Sequence, residues 1–343
     1  MNKLLLFLLL LVWAGTAWAS QANVFVYHRF GDDRYPSTNI SLPVFAEQLE
    51  LLKTKDCAVL TLGAVVARLK QRQPLPPRCV VLTIDDAYRS VLTGAMPLLR
   101  QYGYPATLFV NTAAVGSQDY LSWDEIRALA AEGIEIGNHS ASHPYLLNRE
   151  PGEDDAAWEK RVTADLLRAR QVLNRELGEQ QRLLAYPYGE YSTELVKLTR
   201  ALGFAGAASQ HSGVISPATD LFILPRFPMG GPYATLAGFR EKLALRALEV
   251  RVLAPADPLD SGRNPPLLVL DILSREADLS RLQCYVAGQP ECDVNADTEH
   301  PGRYRIQARQ PLNGRRGKYT LTAPARQGGG WFWFSQLWIY PQR

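Results

Sequence analysis

The sequence lacks several features that mark common classes of protein. Its charges nearly balance, with 37 Lys and Arg against 34 Asp and Glu, so it has no basic excess of the kind that favours nucleic-acid binding. After the N-terminal segment, no stretch is apolar over the roughly 20 residues that a membrane-spanning helix needs. The content of 47% hydrophobic and 21% charged residues excludes a collagen-like or disordered chain. We therefore expect a globular protein of about two domains, without a stable membrane span.

The N-terminal segment has the pattern of a secretory signal peptide. A basic start, Met1-Asn2-Lys3, precedes an apolar run over residues 4–14 and the small-residue sequence Ala17-Trp18-Ala19. This apolar run is too short to span a bilayer. We expect residues 1–19 to be removed after Ala19 and the mature protein to be periplasmic or secreted.

Cysteine is scarce, and the four that are present agree with an oxidising compartment. No C-x2-C pattern supports a zinc–cysteine site, which is the alternative reading. Four cysteines allow three connectivities. Proximity in the sequence favours the pairs Cys57–Cys79 and Cys284–Cys292.

Most of the chain alternates short apolar segments with amphipathic ones. The pattern predicts strands at residues 23–27, 58–60, 79–84, 106–110, 134–137, 183–186, 205–208 and 221–224. It predicts helices at residues 43–53, 62–71, 90–102, 122–132, 154–177, 193–202 and 236–245. Strands that alternate with helices indicate a parallel sheet, and this number of units indicates an α/β fold closed as a (β/α) barrel over residues 20–247.

The remaining residues, 248–343, have strand-like runs and little helical periodicity. The runs lie at residues 249–253, 267–273, 303–307, 318–322 and 331–340, which predicts an all-β, sandwich-like second domain. The last run is rich in aromatic residues, from Trp331 to Tyr340. Because both of its alternating faces are apolar, we favour a buried strand over a sugar-stacking surface.

Polar residues follow five of the predicted strands of the barrel. They are Tyr27-His28, Asp85-Asp86, Asn138-His139, Tyr186-Pro187-Tyr188 and Pro225-Arg226. In a (β/α) barrel the carboxyl ends of the strands open onto one face, where catalysis takes place. The sequence therefore predicts an active site built from these segments.

Two of these segments contain metal-binding residue types. His139 and His143 are four residues apart, which on a helical turn would point both imidazoles to one side. With a carboxylate from Asp85-Asp86 they would form a two-histidine, one-carboxylate site for a divalent ion. Adjacent residues at a strand end point in different directions, so one aspartate can bind metal while the other faces the substrate. The alternative for Asp85-Asp86 is a turn or a helix N-cap.

Three motifs resemble those of the polysaccharide deacetylases, the NodB-homology or carbohydrate esterase family 4 enzymes. Thr83-Ile84-Asp85-Asp86-Ala87 is similar to the T-F-D-D-G motif, and His139-Ser140-Ala141-Ser142-His143 matches H-[ST]-x-x-H. The segment 184–189 resembles the third motif in the form found in poly-N-acetylglucosamine N-deacetylases of exopolysaccharide systems. The resemblance covers residues 23–245 and implies a distorted barrel of the NodB type.

The resemblance also implies roles for single residues. Asp86, His139 and His143 would bind the divalent metal, for which Zn²⁺ is the first expectation and Co²⁺ or Ni²⁺ also suit the ligands. Asp85 would be the catalytic base that accepts a proton from the metal-activated water. A backbone N–H near Tyr188 would help to hold the oxyanion.

The sequence departs from the family pattern at three points. Ala87 replaces a glycine, which requires a negative φ at this position. The third motif lacks its usual arginine, and we expect Arg226 to take that place beside the base. No L-x-H motif supplies the general acid; His28 is the first candidate and His211 the second, while His300 is expected at the surface.

These observations predict a metal-dependent hydrolase that removes N-acetyl groups from a poly-N-acetylglucosamine-like polysaccharide. The alternative substrates are peptidoglycan, a different acetylated glycan, or an O-acetyl ester. Another alternative is a glycan-binding protein without activity, against which the intact base and metal ligands argue. The C-terminal domain is a candidate surface for a partner of an exopolysaccharide system.

Overall fold

The computed structural model describes residues 20–179, 182–259, 262–289 and 292–341. The expected signal peptide at 1–19 lies outside the described residues. Within these ranges, every helix is too short or too polar to cross a membrane.

The N-terminal part alternates strands and helices, as the sequence predicts. Its strands are β1 (Ala22–Tyr27), β2 (Arg29–Phe30), β3 (Asn39–Ile40), β4 (Ala58–Leu60), β5 (Cys79–Asp85), β6 (Thr107–Val110), β7 (Glu135–Asn138), β8 (Leu183–Ala185), β9 (Gly206–Ala208), β10 (Val214–Ile215) and β11 (Phe227–Pro228). Its helices are α1 (Leu42–Thr54), α2 (Leu62–Lys70), α3 (Met96–Tyr102), α4 (Trp123–Ala131), α5 (Asp155–Leu177), α6 (Thr193–Ala201) and α7 (Leu236–Leu243). A π-helical turn, Val91–Ala95, leads into α3.

One sheet joins nine of these strands in the order β10-β1-β5-β6-β7-β8-β9, with β4 and β11 pairing with β5 and β1, whereas β2 and β3 pair only with each other. Except for β10, the strands pair in parallel. Leu224 forms a bridge to Ala208 of β9, and Phe227, shortly after it in the chain, pairs with Phe25 of β1. This short segment brings the two ends of the sheet towards each other. The expected α/β barrel is therefore confirmed. The predicted strand at 221–224 is wrong in position, since only Leu224 forms a bridge and the paired residues follow at β11.

Successive residues of the barrel strands are buried on opposite faces. In β1, Val24 packs inside the curved sheet with Leu62 and Val65 of α2, whereas Phe25 packs outside. Burial on both faces explains why these strands read as continuous apolar runs.

The same alternation overturns the predicted disulfide Cys57–Cys79. Both cysteines are free. Cys79 belongs to the cluster inside the barrel and Cys57 packs against the cluster outside it. The sheet therefore separates the two sulfur atoms, although the neighbouring residue Ala58 pairs with Cys79.

The C-terminal part consists of two four-stranded sheets. Its strands are β12 (Leu245–Ala247), β13 (Val250–Ala254), β14 (Leu267–Ile272), β15 (Gln283–Val286), β16 (Cys292–Ala296), β17 (Arg303–Ala308), β18 (Arg316–Pro324) and β19 (Trp331–Ile339). The sheet orders are β12-β19-β18-β15 and β13-β14-β17-β16. Both sheets contribute to one apolar core, so the second domain is a β-sandwich as expected. The boundary at 247/248 stays a prediction; β12, just before it, already pairs with β19.

The predicted disulfide Cys284–Cys292 is confirmed. It connects β15 to β16, the edge strands of the two sheets. Both strands are short and polar, and the sequence pattern did not indicate them.

The aromatic strand β19 is buried on both faces. Phe332 and Trp338 lie in the sandwich core, whereas Leu337 and Ile339 pack with residues of the barrel. Trp333 contacts Phe227 of the barrel with 5.9 Å between ring centroids. The structure thus agrees with a buried strand between the domains; Trp331, at 39% relative exposure, is the most exposed of its aromatic residues.

Candidate active site

The carboxyl ends of β5 and β7 bring the central residues of the site together. Asp85 is the last residue of β5 and Asn138 the last of β7; the strand between them, β6, pairs in parallel with both. Asp86 and His139 follow directly, so their side chains meet at one edge of the sheet. Asp86 and Ala87 have φ values of 75° and 55°. The expectation of a negative φ at Ala87 is therefore wrong, and this alanine occupies a conformation that favours glycine.

Asp86, His139 and His143 form a group that could hold a metal ion. One ligand atom from each lies within 4.8 Å of the others. The Nε2 atoms of His139 and His143 are 3.5 Å and 3.4 Å from Oδ1 of Asp86. This two-imidazole, one-carboxylate set suits a divalent ion with positions left for water and substrate.

The surroundings of the two histidines suit metal binding in different ways. Nδ1 of His139 lies 2.8 Å from the carbonyl oxygen of Ala185. When Nδ1–H donates to this oxygen, the lone pair of Nε2 is directed towards Asp86. Burial, together with the nearby His139, lowers the pKa of His143 to about 4. The His143 ring can therefore present an unprotonated nitrogen at neutral pH.

The segment that carries these histidines is a loop, so the predicted helical turn is wrong. Ser140 and His143 have positive φ values of 63° and 51°. Side chains hold the loop: Asn138 accepts from the Ser140 N–H at 2.7 Å, and Ser140 Oγ accepts from the His143 N–H at 2.9 Å. Asp165 of α5 accepts from the Ala141 N–H at 3.0 Å. These polar contacts replace the backbone hydrogen bonds of a helix. The loop that they hold brings both histidines, four residues apart, to Asp86.

Asp85 is held by Arg226 rather than by the metal-binding group. Both side chains are fully buried, and the guanidinium donates two hydrogen bonds to the carboxylate, at 2.7 Å and 2.8 Å. Arg226 also donates to Thr83 Oγ1 and to the Ser209 carbonyl. The structure therefore places Arg226 where the sequence analysis expected it, although 141 residues separate the partners.

The charge state of Asp85 follows from these contacts. Burial alone would raise the pKa of this carboxyl, but the charge and hydrogen bonds of Arg226, with His139 and His28 nearby, hold it well below its usual range. Asp85 is consequently an ionised, oriented carboxylate that can accept a proton only from a strongly acidified donor.

Of the histidines considered as the general acid, only His28 reaches this group. Its Nε2 atom is 4.0 Å from Oδ2 of Asp85, and its side chain is 19% exposed. Burial lowers the pKa of His28, with Asp85 and Asp86 opposing the shift. His211 is elsewhere, buried between the domains and hydrogen-bonded to Ser209. His300 is 54% exposed and bonds to Asp297, as expected of a surface residue.

Tyr188 lies in a tight turn, Pro187–Gly189, directly after β8 and Tyr186. Its backbone is left-handed, with φ 59° and ψ 5°. The Tyr188 ring packs on the edge of His143, with 4.6 Å between centroids, and stacks on Tyr145 at 3.8 Å. The turn is thus in direct contact with a candidate metal ligand.

Gln210 is a residue of the site that the sequence analysis missed. Its Nε2 atom is 3.4 Å from Oδ2 of Asp85. Gly189 allows this approach, because a Cβ there would lie 2.3 Å from Gln210. Gln210 follows the end of β9, so the strand-end rule that found Asp85 and His139 would have found it.

Comparisons with known proteins agree with this geometry. Residues 72–207 match the family model for polysaccharide deacetylase. A poly-beta-1,6-N-acetyl-D-glucosamine N-deacetylase of Staphylococcus aureus (strain MRSA252) is 25% identical over 214 residues, which is 61% of this chain and 73% of that protein. The matched family region contains Asp85, Asp86, His139, His143 and Tyr188, whereas His28 and Arg226 lie outside it.

Solved structures show the same fold. The Streptococcus pyogenes deacetylase PplD, in complex with acetate, superimposes with a TM-score of 0.59 at 19% identity, over 66% of this chain and 99% of that chain. IcaB from Ammonifex degensii superimposes with a TM-score of 0.56 at 25% identity, over 64% and 96% of the two chains. These alignments cover about two thirds of this chain.

Proposed function

We propose that this chain, whose residues 72–207 match the polysaccharide deacetylase family model, is a polysaccharide N-deacetylase of carbohydrate esterase family 4 and that its substrate is a poly-N-acetylglucosamine-like polymer. The reaction would hydrolyse the N-acetyl amide of the polymer and release acetate. The name of the Staphylococcus aureus relative and the 25% identity to IcaB support this substrate class.

One observation carries the mechanism that we propose: the two adjacent aspartates have different partners. Asp86 faces His139 and His143, while Asp85 is bound by Arg226 with His28 nearby. The first arrangement suits metal binding by Asp86, His139 and His143, and the second suits proton transfer by Asp85. A divalent ion in this group would lower the pKa of water and polarise the amide carbonyl.

The other side chains complete the reaction. Asp85 accepts the proton of the attacking water, and Arg226 keeps its carboxylate ionised and oriented. His28, whose Nε2 atom is 4.0 Å from Oδ2 of Asp85, donates a proton to the departing amine. The Tyr188 N–H would stabilise the oxyanion, and a divalent ion held by Asp86, His139 and His143 would supply further positive charge there. We propose Zn²⁺ as the ion because neutral imidazoles and a carboxylate are common zinc ligands, and Co²⁺ and Ni²⁺ suit the same ligands.

We also propose that the protein acts outside the cytoplasm. The leader-like pattern at residues 1–19 and the Cys284–Cys292 disulfide support an exported, oxidised protein. Fractionation of cells into cytoplasm, periplasm and medium tests this location, and full-length protein retained in the cytoplasm would contradict it.

The test of the function is acetate release from a β-1,6-linked N-acetylglucosamine oligomer. Zinc-loaded protein is compared with chelated protein and with Asp85→Asn, and Asp124→Asn serves as the matched control because its side chain is 91% exposed on α4. We expect release by the wild type and the control alone. Metal binding without release on this oligomer would exclude the substrate, and failure to bind metal would favour a glycan-binding protein without activity.

A further inference from the structure

The sandwich domain reaches the active-site turn through two consecutive arginines. Arg315 and Arg316 stand at the start of β18, where Arg316 pairs with Ile339 of β19 and the Arg315 carbonyl accepts from the Tyr340 N–H. Their side chains leave the sandwich and contact the segment Tyr188–Glu190 of the barrel. Neither arginine belongs to the group that performs the proposed chemistry.

Arg315 forms a paired contact with Glu190. Its Nε and Nη2 atoms donate to the two carboxylate oxygens, each at 2.7 Å, and Nη1 donates to Asn148 Oδ1 at 2.7 Å. The side chains of Glu190 and Arg315 are 1% and 12% exposed. A carboxylate buried to this degree requires a partner, and the sandwich provides it.

Arg315 also begins a row of stacked groups that ends at a candidate metal ligand. Its guanidinium lies 4.0 Å from the centroid of Tyr145. Tyr145 stacks on Tyr188 at 3.8 Å with an interplanar angle of 12°. Tyr188 in turn packs on His143. The position of the His143 ring therefore depends on packing that starts in the other domain.

Arg316 acts on the backbone of the same turn. Its Nη1 atom donates to the Tyr188 carbonyl at 2.7 Å. Tyr188 and Gly189 both have left-handed backbone conformations, with φ values of 59° and 69°. A non-glycine residue adopts this conformation only where its surroundings hold it, and Arg316 supplies one such restraint.

We propose that Arg315 and Arg316 are positioning residues for deacetylation, through which the sandwich domain holds the Tyr188 turn and the His143 ring in their working arrangement. This inference rests on the proposed function for its kinetic consequence, but the arrangement itself can be measured without substrate. The sandwich is then a part of the catalytic unit rather than a separate module.

The decisive variant is Arg316→Ala, compared with Arg251→Ala. Arg316 is 42% exposed, so replacing it with alanine does not leave an empty space inside the protein. Arg251 is 66% exposed and pairs with Asp271 within the sandwich. Its removal therefore leaves the contacts of Arg315 and Arg316 with the turn in place. For Arg316→Ala we expect kcat to fall by on the order of tenfold, with KM changed less, because a misplaced reacting group affects the chemical step. Arg316→Lys, which keeps a donor, should recover part of kcat.

A second readout separates this inference from the function. The His143 ring signals, followed by NMR in histidine-labelled protein without substrate, should shift in Arg316→Ala and not in Arg251→Ala. The double variant Arg315→Met/Glu190→Gln, which removes both charges of the buried pair, should give the same shift.

Unchanged His143 signals in Arg316→Ala and the double variant, with kcat within twofold of wild type, would overturn the inference and leave the arginines as domain contacts. Absence of deacetylation by wild-type protein would instead overturn the proposed function, while the NMR comparison would still decide the positioning role.

Discussion

The barrel and the domain interface each contain a buried arginine–carboxylate pair, and the two differ in what surrounds the carboxylate. Asp85, paired with Arg226, has His28 and His139 at 4.0 Å. Glu190, paired with Arg315, has Arg316 and Asn148 nearby and contacts the turn rather than the reacting groups. Under the proposed mechanism, the same pairing would serve proton transfer in one place and support in the other. The neighbours of the carboxylate, rather than the pair itself, would then decide its role.

The largest expected effect separates the two carboxylates. Asp85→Asn keeps the size and most hydrogen bonds of the side chain but removes the base, so we expect activity to fall by about 10² to 10⁴. Glu190→Gln should reduce it far less. Acetate release per bound metal measures both, and equal losses in the two variants would contradict the division of roles.

The next effect is on stability and concerns the arginines. Arg226→Met leaves the Asp85 carboxylate buried and unpaired, which should cost about 3–5 kcal/mol in the free energy of unfolding. Arg226→Met/Asp85→Asn should recover most of it, since no buried charge remains. Arg315→Met should cost less, because Arg316 Nε remains 3.8 Å from the Glu190 carboxylate. Urea unfolding measures these values, and a double variant as unstable as the single one would refute the argument.

Metal should stabilise the protein through the group of Asp86, His139 and His143, which lies beside the barrel pair. A divalent ion at 100 times its dissociation constant should add about 2.7 kcal/mol to the free energy of unfolding. The gain should be absent in His139→Ala and retained in His300→Ala, whose side chain is exposed. Unfolding with and without chelator gives the comparison, and a gain that survives in His139→Ala would place the ion elsewhere.

The last effect concerns the pH dependence of the interface, which is graded and is the smallest when counted per pH unit. Burial, with the charge of Lys318 adding to it, lowers the pKa of His211 from 6.5 to about 3. The unfolded chain therefore binds one more proton than the folded chain between these values, and stability is lost as the pH falls through this range. The loss should reach about 1.4 kcal/mol per pH unit for one proton.

His211→Asn removes this titration and provides the comparison. The free energy of unfolding, measured from pH 7 to pH 4, should fall more steeply with decreasing pH in the wild type than in the variant. Identical slopes would show that His211 is not buried as a neutral group.

The sequence predicted the barrel and the central site well because both depend on local rules. Strand ends placed Asp85, Asp86, His139 and Tyr188 on one edge, and the apolar alternation identified β19. It failed where contacts between distant segments override local pattern. Asn138, Ser140 and Asp165 turn the 139–143 segment into a loop, and the sheet lies between Cys57 and Cys79.

The interface residues were beyond sequence reasoning for a related reason. Arg315 and Glu190 are 125 residues apart, and only the packing of the sandwich against the barrel brings them together. Arg226 could be identified from the sequence because it follows a predicted strand end. No local signal distinguishes Arg315 and Arg316 from the many exposed arginines of the second domain.

The proposed dependence of the Tyr188 turn on Arg315 and Arg316 would also order events during synthesis. At about 5–20 residues per second, the 96 residues from 248 to 343 take roughly 5 to 20 s to be made after the barrel sequence is complete. During that interval the barrel would have Asp86, His139 and His143 but neither the two arginines at the turn nor the β19 strand, whose Trp333 contacts Phe227. Under the proposed positioning role, full activity would appear only once β18 and β19 have joined the barrel.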